Sequence, residues 1–312
     1  MQRTLGVWMP FSSLRLDIIR TTLVALLAAG LFTGCSAAGS GATSGSSSDA
    51  DAIDVVATTT VFADLVRQVG GSRVRVSSLV PPGGEVHTFD PTPADIARVA
   101  DADLIVMNGL GLDDWVADLA EDSGAQAPIV RLGEGIEGAT DNPHLWMDVR
   151  KAMRYAVRIG DELALVDAAN AAMYGDMTRA YAQRLTELDA WAREQIAGVP
   201  AERRKVVSFH DAFPYFAAAY GLEIVGTVID APGQDPSAGE IAGLIDEIRA
   251  SGASALFGEA QFNPELARTI AEEAGIAVVT DLYTDSLGDP PVDTYEGLIR
   301  ADVDRVVEAL SS

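Results

Sequence analysis

Cysteine is almost absent from this chain: Cys35 is the only one. A lone cysteine excludes an internal disulfide and any thiolate-built metal site. Histidine is nearly as scarce, with His87, His144 and His210 the only three in 312 residues. Positive charge is short as well: 22 lysines and arginines stand against 46 aspartates and glutamates, for a formal net charge of −24. Such a surface repels phosphate backbones, which argues against nucleic acid as a partner. It is compatible with cationic ligands without identifying one. No apolar run is a comfortable match to the roughly 20 residues that span a bilayer. The chain has no H-E-x-x-H and no G-x-S-x-G, so it lacks the local signatures of helix-borne zinc proteases and of serine hydrolases. The gaps of 57 and 66 residues between successive histidines match no local metal motif either.

What is present begins with an export signal. Residues 1–34 carry Arg3, Arg15 and Arg20, then the apolar run "TTLVALLAAGLF", then small residues up to Cys35. A basic start, a short apolar core and a small-residue end make a secretory signal peptide, with Met9 as an alternative start. Phe32-Thr33-Gly34-Cys35 is similar to a bacterial lipoprotein cleavage site, with Phe32 in place of the usual leucine. That similarity implies that Cys35 is lipidated and becomes the mature N-terminus. Residues 35–52, Gly- and Ser-rich, read as a flexible tether. The order of anchor, tether and globular body places the protein outside the membrane but tied to it.

The body reads as two α/β halves. Strand-like runs at 53–59, 74–80, 103–109 and 128–132 alternate with helical stretches, an N-terminal lobe over 53–150. Thr92-Pro93 marks a capped helix start. From 151 to 199 strand signals vanish, and Met173, Met177, Tyr181, Leu185 and Leu188 recur at helical steps. One helix of about 29 residues over roughly 168–196 is expected, about 43 Å long, with a break near Gly175 as the alternative. Strands return at 205–209, 223–228, 255–259 and 277–280, with a last helix over about 292–310, a C-terminal lobe over 200–312. The expected fold is α/β: two lobes of four parallel strands each, bridged by a long helix. There is no near-exact internal repeat.

Each histidine lies in a loop or at a strand end: His87 after the second strand, His144 just before the helical segment, His210 at the end of "KVVSF". Ligands of parallel α/β sheets bind beyond the carboxyl ends of strands. Three imidazoles and one carboxylate make a tetrahedral N3O shell suited to Zn²⁺. Asp281, Asp285 and Glu259 are the carboxylate candidates, and spacing does not choose among them.

"HTFDPTPAD", "NPHLWMDV", "SFHDAFPYFAAAYGL" and "YTDSLG", in that order, resemble the metal-binding segments of the zinc- and manganese-binding solute-binding proteins of bacterial ABC transporters. "GQDPSAGEIAGLIDEIRASGASALFGEAQFNP" resembles the same family's C-terminal segment, so the resemblance covers about residues 53–310. It implies metal ligands at His87, His144, His210 and Asp285, held between the lobes, and favours Asp285 over Asp281. It implies capture of zinc, or alternatively manganese, and delivery to a membrane permease, by a non-enzyme expected to be a monomer. A histidine at the third position, here His210, is similar to zinc or mixed binders. Glu85-Val86 and Asn142-Pro143 depart from the family's usual Asp-Pro, and Val149 replaces a frequent proline. These neighbours bear on loop geometry and on hydrogen bonds behind the ligands. No histidine-rich feed-in loop is present. A metal-dependent adhesin and, further off, a secreted zinc hydrolase are the rival readings. Tyr283 and Phe209 are expected to wall the site, and Trp146 to pack beneath the His144 loop.

Overall fold

The computed structural model describes residues 52–233 and 236–312. The signal peptide over 1–34, Cys35 and the tether up to residue 51 lie outside the described residues. Among the described residues, eight strands form two sheets. The first holds β1 (Ile53–Ala57), β2 (Val74–Ser78), β3 (Leu104–Met107) and β4 (Ile129–Arg131) in the order β2-β1-β3-β4. The second holds β5 (Lys205–His210), β6 (Glu223–Ile229), β7 (Ala255–Glu259) and β8 (Ala277–Leu282) in the order β6-β5-β7-β8. All pairings are parallel. The two halves therefore share one topology although their sequences do not repeat.

Helices α1 (Thr60–Gly70), α2 (Pro93–Ala100) and α3 (Trp115–Ser123) link the strands of the first sheet. Helices α6 (Pro214–Tyr220), α7 (Ala238–Ser251) and α8 (Pro264–Ala274) do so in the second, and α9 (Tyr295–Ser311) closes the chain. Helices on both faces bury the central strands completely, which is why β3 reads Leu-Ile-Val-Met without a polar interruption. The first strand is shorter than its apolar run: Thr59 leaves the sheet and caps α1, its side chain accepting from the Phe62 N–H. Thr92 and Asp95 form a reciprocal capping box on α2, with Pro93 in the first turn, as the sequence predicts.

The segment over 151–199 corresponds to a helical hairpin, α4 (Val149–Val166) and α5 (Ala171–Ala197). The break falls at Asp167–Asn170, not at Gly175. The Asp167 carboxylate accepts from Asn170 Nδ2 at 2.6 Å and from the Tyr174 hydroxyl at 2.9 Å, which binds the turn to the start of α5. Gly175 meets only the flexible end of Arg179, so α5 runs straight through it. Gly160 is the glycine that matters: a Cβ there would stand 2.1 Å from Thr178 Oγ1, so its absence lets α4 and α5 close together. The 27 residues of α5 extend about 40 Å at 1.5 Å per residue. It packs on α1 and α4 on one side and reaches α6 and α9 on the other, bridging the two halves.

Candidate metal centre

In each sheet the strand order reverses between two central strands, β1 and β3 in one and β5 and β7 in the other. The crevice beyond their carboxyl ends is where such sheets bind ligands. His210 is the last residue of β5 and Glu259 the last of β7, so they face each other across the second crevice. His210 Nδ1 lies 2.6 Å from Glu259 Oε1. A carboxylate accepts, so Nδ1 donates to Glu259 and Nε2 is turned inward.

His144 is set by a different partner. Asn142 Oδ1 accepts from the His144 backbone N–H at 3.0 Å and from its Nδ1 at 3.0 Å, again leaving Nε2 free. Asn108, directly after β3, donates from Nδ2 to the Pro143 carbonyl at 3.0 Å, fixing this loop to the first sheet. Asn142 Nδ2 also donates to the Asp211 carbonyl at 2.6 Å, beside His210. The two histidine loops are thus tied together, and His144 Nε2 lies 3.2 Å from His210 Nε2.

His87 sits in the loop after β2, and its side chain keeps 15 % of its surface, the most open of the four. Val86, wholly buried, anchors that loop, and Glu85 Oε1 accepts from the His87 backbone N–H at 2.9 Å. Asp285 follows β8. Its loop is held by Trp146 Nε1 donating to the Thr284 carbonyl at 2.9 Å and by the Leu287 N–H donating to Thr60 Oγ1 at 2.7 Å. The Gly83 N–H donates to Ser286 Oγ at 2.7 Å. Asp285 Oδ2 lies 3.6 Å from His87 Nε2, and Oδ1 3.5 Å from His144 Nε2.

One ligand atom from each of His87, His144, His210 and Asp285 thus falls within 4.8 Å of all the others. Both carboxylate oxygens of Asp285 and Nε2 of His87 are buried without a hydrogen-bond partner. Unpartnered buried charge is costly, and a cation between these atoms would satisfy all of them at once. Three imidazole nitrogens and one carboxylate oxygen fit a borderline divalent ion. Of the other carboxylates, Asp281 pairs at the surface with Arg305 at 2.7 Å and stays outside the cluster. Glu259 stands behind His210 rather than beside the ion's place.

The electrostatics divide the histidines. Burial drives the His144 pKa down to about 3, outweighing the attraction of Asp285. Burial also opposes charge on His210, but Glu259, through charge and hydrogen bond, and Asp285 outweigh it and raise its pKa to about 9. Burial works against the Asp285 carboxylate too, yet the three surrounding histidines hold it down to about 2. Burial pushes Glu259 upward.

Two expectations shift. Phe209 points away from the site into the second lobe's core, and Phe262 is the ring set against His210, edge to face at 5.5 Å. Trp146 packs near His144, ring centroids 5.3 Å apart, but it also ties the Asp285 loop through Nε1. The Thr60–Leu287 and Gly83–Ser286 bonds gave no sequence signal, because hydroxyls in loops are common and their partners lie more than 200 residues away.

The family described as zinc-uptake complex component A, periplasmic (ZnuA), matches residues 55–309. The chain belongs to this family. It is 31% identical to the manganese-binding lipoprotein MntA of Halalkalibacterium halodurans, over 88% of this chain and 94% of that one. It is 33% identical to the iron-binding protein YfeA of Yersinia pestis, over 81% of this chain and 85% of that one. Among solved structures it is similar to the periplasmic zinc binding protein TroA from Treponema pallidum, at 27% identity and a TM-score of 0.75, covering 83% of this chain and 99% of that one. A Mn-bound periplasmic metal binding protein from Candidatus Liberibacter asiaticus gives 26% identity and a TM-score of 0.74 with the same coverage. Members of the ZnuA family are metal-binding transport proteins, and the chain is not an enzyme. Several of its relatives, MntA among them, are named as lipoproteins. Among the described residues no helix is long and apolar enough to cross a membrane.

Proposed function

We propose that this protein captures a divalent transition-metal ion outside the cell membrane and delivers it to the permease of an ABC transporter. Lipidated Cys35 and the tether hold it, as a monomer, near that permease. His87, His144, His210 and Asp285 are the ligands in this reading. The observation that carries it is the convergence of three imidazoles on an unpartnered, wholly buried carboxylate within 4.8 Å. Four protein donors match a closed binding shell rather than the three-ligand set of a catalytic zinc, which suits capture and release rather than turnover.

His87, on the open side, is the first donor an arriving ion meets. The ion then replaces the proton that Glu259 favours on His210, and the pocket exchanges one cation for another. An N3O donor set favours zinc over manganese by ligand softness and by the Irving–Williams order. Relatives named for manganese, iron and zinc make the choice of ion a matter for competition. The test is metal content and competition titration on a soluble form starting at Ser36. One equivalent of tightly bound zinc with weak manganese binding is expected. Manganese that zinc does not displace would reassign the cargo, and a folded protein that holds no stoichiometric metal would remove the site.

A further inference from the structure

Glu85 is a half-buried carboxylate for which the four-ligand shell has no use. Its Oε1 accepts from the His87 amide, but Oε2 is buried and has no partner among the described residues. The carboxylate interacts electrostatically with Asp285, His87 and His210, three of the four members of the cluster. Yet it is not one of the atoms that lie within 4.8 Å of each other. It is held against the backbone of one member of the cluster, His87, with a free acceptor.

We infer that Glu85 acts on the captured ion through an ion-bound water and sets how far the site departs from a preference for zinc. This rests on the metal-capture reading above. A water on the ion would give Oε2 the donor it lacks. Zinc is complete with three nitrogens and one oxygen. Manganese and ferrous iron favour oxygen donors and retain water more readily, so an acceptor that holds a fifth, oxygen ligand helps them more than it helps zinc. If Glu85 served only to brace the His87 loop, it would help every ion equally.

Glu85→Gln separates the two roles, because glutamine keeps an oxygen for the His87 amide at the same reach while removing the carboxylate. Manganese and zinc affinities are measured by competition titration on the wild type and on this variant, with thermal melting to confirm the fold. A tenfold or greater loss for manganese is expected, in the range of about 10–100-fold for outer-layer partners, against less than about threefold for zinc. Cobalt loaded as a spectroscopic stand-in should show the weak visible bands of a five-coordinate ion in the wild type and the intense bands of a tetrahedral one in the variant. Equal losses for both metals, or unchanged affinities and spectra, would overturn the role of Glu85 while leaving the site intact. A wild type that binds neither metal would overturn the capture reading and this inference together.

Discussion

His144 and His210 approach within 3.2 Å through the same ring atom, yet they are prepared in opposite ways. The first half of the molecule backs its histidine with a neutral amide, Asn142. The second half backs its own with a buried carboxylate, Glu259. On His144 burial prevails over the attraction of Asp285, and the ring stays neutral, with its pKa at about 3. On His210 burial is overruled and the pKa climbs to about 9. Two imidazoles of like exposure become a ready donor and a proton holder, because the residue one layer out differs by a single functional group.

The sharpest way to break this comparison is to remove its charged side. His210→Ala deletes a donor and should lower metal affinity beyond the ~10–100-fold typical of outer-layer losses, as read by competition titration. Glu259→Gln leaves the ring in place but takes away its carboxylate. It should cost about 10–100-fold in affinity and abolish most of the proton release described next. Equal proton release in wild type and variant would mean that Glu259 does not hold the proton.

The pH dependence sharpens the same contrast. A raised pKa means that His210 carries a proton at neutral pH, and the ion needs that lone pair, so binding must expel the proton. Affinity should then rise about tenfold per pH unit from neutrality and level off above about pH 9. His144, already neutral, should contribute no proton in that window. Calorimetry in buffers of different ionisation heat counts the protons directly. The smallest effect is a control outside the four-residue cluster: Thr92→Ala removes the α2 capping box and should cost about 1 kcal/mol of stability, with metal affinity unchanged. A change in affinity would show that the His87 loop depends on that cap.

Much of this was legible in the chain. Parallel central strands are buried on both faces, so β3 and β7 announce themselves as apolar runs. Three histidines are few enough that each loop bearing one stands out. The choice of Asp285 came from its resemblance to a family motif; spacing could not make it, because Asp281 and Glu259 sit in equally plausible places until the fold shows one paired with Arg305 and the other behind His210. The long helix expected over about 168–196 corresponds to α5, while the alternative break at Gly175 is absent; the side-chain bonds that fasten the Asp167 turn to Asn170 and Tyr174 have no signature in sequence. Glu259 stood among the ligand candidates because a sequence does not show what a carboxylate faces.

The hydrogen bonds around Asp285 have a mechanical consequence. Its loop belongs by sequence to the second sheet, yet its backbone and Ser286 are fastened to Trp146, Thr60 and Gly83 of the first half. The seam along which the molecule parts most easily therefore need not follow the order of the chain. Parting the Asp285 loop from the first half would break these three bonds, and the Thr60–Ser286 hydroxyl contact at 3.3 Å with them. The one carboxylate of the cluster is thereby a shared part: the second sheet carries it, and the first half holds it in place.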